Sequence, residues 1–129
     1  MKKFENFRQA FQNLGDIFQY QEPYGNVELT GLVGLFEICF EQAWKAMKEI
    51  LEQNGFSPAQ TGSPRMILKT AFQAGMIQNE ELWLKALADR NLVSHSYHKE
   101  IALSIIQNTK DDYYKIFKDL VQSIEANWM

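Results

Sequence analysis

The chain has 129 residues, 46% of them apolar, 22% charged and 13% aromatic, with 13 Lys plus Arg against 16 Asp plus Glu for a formal charge of -3. So much apolar material excludes a disordered chain, and the length is that of about one domain, able to bury a core without staples. The acidic balance excludes a broad electrostatic grip on nucleic acid, which needs an excess of cations facing the phosphates, and leaves room only for a local basic cleft.

Phe4, Phe7, Phe11, Leu14 and Phe18 recur at spacings of three and four, the stripe of an amphipathic helix whose other face carries Glu5, Arg8, Gln9, Gln12, Asn13 and Asp16. Lys2 and Lys3 lead directly into this pattern, so the amino end reads as no export signal. Pro23, Tyr24, Gly25 and Asn26 then stop the helix.

A second, long helix is expected from about Val27 to Asn54, on Leu29, Leu32, Val33, Phe36, Phe40, Ala43, Trp44, Met47, Ile50 and Leu51. Leu35, Ile38 and Cys39 widen its apolar stripe and predict a central helix covered on more than one side. The most apolar stretch, Leu32 to Phe40, contains Glu37 and falls short of the ~20 residues that span a bilayer. A lone cysteine among Ile38 and Phe40 reads as a buried thiol in a reducing compartment, and the expected location is the cytoplasm.

Asn54-Gly55 suits a helix stop, because both tolerate the left-handed conformation, and Phe56 to Gly62, with Pro58, reads as a loop. Ser63-Pro64 opens a third helix as cap and first position, and Gly75 terminates it. Asn79 caps a fourth, with Glu80 and Glu81 in its first turn and Leu82, Trp83, Ala86 and Leu87 as apolar positions. The pattern is unclear between Arg90 and Tyr97 and resumes at Ile101, Leu103, Ile105 and Ile106. Asp111 and Asp112 are expected to open the last helix, through Phe117, Leu120, Ile124 and Trp128. No alternating strand pattern, repeat or long linker occurs. The expected fold is all-α, a single domain over 1–129: an antiparallel bundle of about five or six helices around a four-helix core.

Phosphate loops, paired cysteines, zinc-protease motifs and nucleophile elbows are absent. Chemistry concentrates instead in Asp89-Arg90-Asn91-Leu92-Val93-Ser94-His95-Ser96-Tyr97-His98, which holds both histidines of the chain. On one straight helix Arg90 and His95 would lie about 140° apart, so they share a site only if the helix ends near Val93-Ser94 and turns back, or if a second copy supplies the partner group. Arg offers a permanent planar fork for phosphate oxygens, and His exchanges protons near neutral pH. Together they form a minimal set for breaking an RNA phosphodiester without metal. The plainer alternative pairs Arg90 with Glu81, Asp89 or a helix end and makes His95 a backbone cap. His95 and His98 at i, i+3 lack a third and fourth ligand, so no metal site is expected. Glu37 and Glu41 are neighbours four apart on the long helix. They read first as solvated charges or partners of Lys45 and Lys48, and second as residues of a cleft.

In this segment the chain resembles the HEPN domains, and within them the branch of nucleotidyltransferase substrate-binding proteins that includes relatives of HepT toxins. The resemblance rests on Arg90-Asn91-x-x-x-His95 with the extension Ser96-Tyr97. It continues over Phe36-Glu37, Phe40-Glu41 and Trp44-Lys45, Ser63-Pro64-Arg65, Ala71-Phe72, Gly75-Met76-Ile77 and Trp83, and so runs over roughly the whole chain. It implies a helical homodimer whose two Arg-His pairs meet at a central cleft, and a minimal nucleotidyltransferase encoded nearby as partner. In toxin members the activity implied is a metal-independent ribonuclease without cofactor, silenced when the partner transfers AMP to the tyrosine. Arg90 would then hold the scissile phosphate, His95 act as acid and base, Asn91 orient or bind, and Tyr97 accept AMP. The other role the resemblance implies is a non-catalytic subunit presenting an RNA or nucleotide ligand to the nucleotidyltransferase. His98 stands where an acidic residue or Trp is common, and with Glu37 and Glu41 it is a lesser candidate for binding.

Overall fold

Residues 2–57 and 60–129 are described in the computed structural model, and among them the regular structure is helical throughout. α1 (Lys2–Leu14) runs on into a 3-10 turn (Gly15–Gln19). α2 (Asn26–Gln53), α3 (Pro64–Gln73) and α4 (Glu80–Asn91) follow. A second 3-10 turn (Val93–His95) leads to α5 (Lys99–Asn108), which continues through a π-helical turn (Thr109–Tyr113) into α6 (Tyr114–Asn127). The all-α bundle expected from the apolar periodicity is the fold that forms. In the loop after α2, Pro58 and Ala59 lie outside the described residues.

Four of the expected helix ends form by the expected chemistry. Ser63 Oγ accepts the Met66 N–H at 3.2 Å with Pro64 at the first position of α3, and Asn79 Oδ1 accepts the Leu82 N–H at 3.2 Å to start α4. Each satisfies an amide that the first helical turn leaves without a partner. Gly55 and Gly75 close α2 and α3 at φ +91° and +80°, a region that costs a side-chain-bearing residue about 1–2 kcal/mol.

α2 is the spine. Its Leu32, Phe36, Phe40, Ala43, Met47, Ile50 and Leu51 are buried, and contacts with α1, α3, α4 and α5 surround that side. Trp83 of α4 sits at the centre, its ring 6.2 Å from Phe40 and 5.4 Å from Phe117. α1 runs antiparallel to α6, since Phe11 stacks on Tyr114 while the earlier Arg8 pairs with Glu125 at 2.8 Å. Cys39 is fully buried, and burial pushes its thiol pKa far above the ordinary range.

Three local expectations are corrected. Ile17, not Phe18, takes the core position after Leu14, and Phe18 is left 44% exposed, edge-on to Tyr114 at 5.0 Å. The cause is winding: a 3-10 turn closes about every three residues, which brings i+3 rather than i+4 under Leu14. Ile38 is 56% exposed, so it does not belong to the buried stripe that it was expected to widen. Asp111 and Asp112 open no new helix; they lie within the π turn, and α5 and α6 form one continuous rod.

Candidate functional site

The last turn of α4 carries Asp89 and Arg90 in opposite roles. Asp89 Oδ2 faces inward, accepting the Tyr113 hydroxyl at 2.5 Å and the Asn108 amide at 3.0 Å. This ties the end of α4 to the π turn. Burial, followed by the hydrogen bond and charge of Asp89, raises the pKa of the Tyr113 hydroxyl well above the ordinary phenol range, so it stays a donor. Arg90 turns toward α2, where its Nε lies 2.5 Å from Glu41 Oε1, with both side chains about a quarter exposed (28% and 24%). Its Nη1 donates to Asn91 Oδ1 at 3.3 Å. The other oxygen of Glu41 accepts the Trp44 indole N–H at 3.1 Å.

Glu41 therefore partners Arg90 and Trp44, and not Lys45 or Lys48 as its spacing suggests. Only the fold could reveal this, since Arg90 arrives on another helix. With Nε in an ion pair with Glu41 and Nη1 bonded to Asn91, the guanidinium is drawn toward α2, while Nη2 is left for an anion.

Helix α4 ends at Asn91, and the chain then winds tightly, with His95 N–H donating to Leu92 O at 2.8 Å and Ser96 N–H to Val93 O at 3.0 Å. The straight-helix geometry that would separate Arg90 from His95 does not apply here. Asn91, His95, Tyr97 and His98 are all exposed, Tyr97 at 77%. Its ring lies 4.4 Å from that of His98 and 6.3 Å from that of His95, forming an aromatic cluster at the tip of the turn. The polar contacts of Arg90 run to Glu41 and Asn91 rather than to His95. Glu37, one turn before Glu41, is half-buried on the same side of α2.

Sequence reasoning includes Asp89 in the polar cluster but misses its partners Tyr113 and Asn108, and misses Trp44 as a member of the site. Trp44 has a signal, three residues after Glu41 on one helix face. The bond between Asp89 and Tyr113 has none, because the two are 24 residues apart on elements whose docking no local pattern encodes.

Residues 2–126 match the family model described as nucleotidyltransferase substrate binding protein like. A curated Haemophilus influenzae protein, "Probable ribonuclease HepT", is 28% identical over 85 residues, 64% of this chain, and the chain spans 58% of that relative's length. Among solved structures, a Thermus thermophilus protein aligns with a TM-score of 0.77 and 26% identity, over 90% of this chain and 96% of the other. A Haemophilus influenzae protein whose structure is described as the fold of a substrate binding domain of a nucleotidyltransferase aligns with a TM-score of 0.70 and 22% identity, over 96% and 95% of the two chains, a likeness of fold.

Proposed function

The chain belongs to the nucleotidyltransferase substrate binding protein like family, and from that premise we propose that it is a homodimeric, metal-independent ribonuclease regulated by a cytoplasmic nucleotidyltransferase partner. Arg90 binds the scissile phosphate through its Nη atoms, and Asn91 helps hold the strand. His95 takes the proton from the ribose 2′-hydroxyl as that oxygen attacks phosphorus, and protonation of the departing 5′-oxygen completes cleavage to a cyclic phosphate and a free 5′-hydroxyl. Tyr97 is the acceptor when the partner transfers AMP: its phenolic oxygen attacks the α-phosphorus of ATP, and pyrophosphate leaves. The added phosphate places negative charge beside His95 and Arg90 and competes with RNA.

The observation that carries this is the turn after α4, which sets His95, Tyr97 and His98 together at the surface directly after Arg90, with Tyr97 at 77% exposure. A side chain so presented can enter the active site of another protein. The twofold pairing is supported by the outward face of α2, where Val27 is 86% and Ile38 56% exposed, and where Gly31 and Gly34 leave open space for a close approach. Glu41 lies on the continuation of that face, so a second copy docked there would come up against the Arg90 site.

The test is RNA cleavage by the purified dimer, alone and after incubation with the partner and labelled ATP. His95→Ala is expected to lower cleavage by about 10²–10⁴-fold in a folded dimer, and label is expected on Tyr97. Cleavage that survives His95→Ala would sink the enzymatic reading. A second reading, a non-catalytic subunit that presents substrate to the nucleotidyltransferase, is favoured by the engagement of Arg90 with Glu41 in the single chain. It predicts label passing to a third molecule only when both proteins are present.

A further inference from the structure

A groove of about 600 Å³ lies beside the amino end of α1 and the carboxyl half of α2, lined by Lys3, Trp44, Lys45, Lys48, Glu49 and Glu52, with Gln53 at its edge. Two other grooves, of about 330 and 230 Å³, are lined without any cation, by Asp16, Glu28 and apolar residues in one and by amides, Ala10 and Ile38 in the other. In a chain of net charge -3, three of the 13 Lys and Arg thus gather around one concavity that also contains a tryptophan. Trp44 is fixed there, because its N–H donates to Glu41 at 3.1 Å. Lys45 Nζ stands 5.9 Å from the ring centroid. Glu52, also in the lining, accepts the Thr61 hydroxyl at 2.8 Å. Glu49 adds a carboxylate to the same lining, one oxygen of which is buried and has no hydrogen-bond partner among the described residues.

We infer that this groove binds a nucleotide unit, its base on Trp44 and its phosphate on Lys3, Lys45 and Lys48. An aromatic face beside cations is how proteins hold bases without reading their sequence. A simple inorganic anion would use the lysines but leave Trp44 idle. The groove joins the Arg90 site through one carboxylate, since Glu41 holds Trp44 by one oxygen and meets Arg90 with the other. From Glu41 to Lys48 is about 10 Å along the helix, one to two nucleotides of an extended strand. The occupant is then either the RNA strand leaving Arg90 or a free nucleoside triphosphate; the assignment rests on the proposed handling of nucleotides but not on catalysis.

The experiment measures binding of a 5′-fluorescein-labelled octaribonucleotide by anisotropy, and of ATP by quenching of tryptophan emission, using the full chain with the His95→Ala change to prevent cleavage. The double variant K45E/K48E, on the solvent side of α2, is expected to bind at least about tenfold more weakly and to show a flatter salt dependence, by roughly 0.7 per lost phosphate contact. Trp44→Phe is expected to keep most of the affinity and Trp44→Leu to lose it. Binding of the octamer alone identifies an RNA strand; binding of ATP with quenching that is absent in Trp44→Phe identifies a free nucleotide. K45Q/K48Q provides the same comparison should charge reversal disturb folding. If neither probe binds, or both bind the lysine variants as well as the parent, the groove is not a nucleotide site. Loss of cleavage in His95→Ala with unchanged binding in the lysine variants would overturn the groove and leave the ribonuclease standing. Lysine-dependent binding without any cleavage by the chain that retains His95 would do the reverse.

Discussion

Cys39 and Tyr113 have no part in the proposed chemistry, yet both make stability depend on pH. Each has a folded-state pKa raised above its ordinary value, 9.0 for the thiol and 10.0 for the phenol, chiefly by burial. The sign follows from linkage: such a group gives its full contribution below its ordinary pKa, and that contribution is lost as pH rises, because the unfolded chain ionises where the folded one cannot. The unfolding free energy from urea titration is therefore expected to fall as pH rises above about 9 for the thiol and about 10 for the phenol, at up to about 1.4 kcal/mol per pH unit for each group. Cys39→Ala should flatten the slope between pH about 9 and 10, and an unchanged slope there would remove the thiol as its source. The same two positions mark how much of the site was legible. The burial of Cys39 was expected from its neighbours Ile38 and Phe40, of which only Phe40 is buried with it. Nothing near Tyr113 announces a bond to Asp89, because that bond depends on how α4 docks against the π turn.

Capping chemistry is local, which is why Ser63, Asn79, Gly55 and Gly75 mark helix boundaries in the sequence as they do in the fold. Ser63→Ala removes the acceptor for the Met66 N–H and is expected to cost about 1 kcal/mol, read as a lower thermal midpoint with no change in helical content. A midpoint unchanged within error would show that water replaces the serine. Periodicity misplaces the end of α1 and the start of α6 because winding departs there from the α-helical period. The 3-10 turn moved the buried register from Phe18 to Ile17, and the π turn carried the chain past Asp111 and Asp112 without a break. A spacing of three and four assumes one constant angle per residue, and both segments violate it.

α2 is buried along one side and bare along part of the other, where Val27, Gly31, Gly34 and Ile38 meet solvent. If that face pairs two copies, Ile38→Arg should yield a folded monomer, detected as halved mass in sedimentation with the helical signal intact. It should also lower RNA cleavage, since each Arg90 then lacks its opposite copy. A variant that remains dimeric would place the twofold axis elsewhere. Among the described residues no helix is long and apolar enough to cross a membrane.

Apolar spacing of three and four, cap residues and the absence of strand alternation were enough to specify an all-α bundle, because each reflects the backbone's own geometry and solvation. The cluster from Arg90 to His98 was visible for a different reason: it holds both histidines of the chain, close to Arg90 and Tyr97. The partnership of Arg90 with Glu41, of Glu41 with Trp44, and of Asp89 with Tyr113 was settled by helix docking. Those contacts arise from burying Trp83, Phe36, Phe40 and Phe117 together, and a non-directional force of that kind leaves no trace in the spacing of the polar residues it brings together.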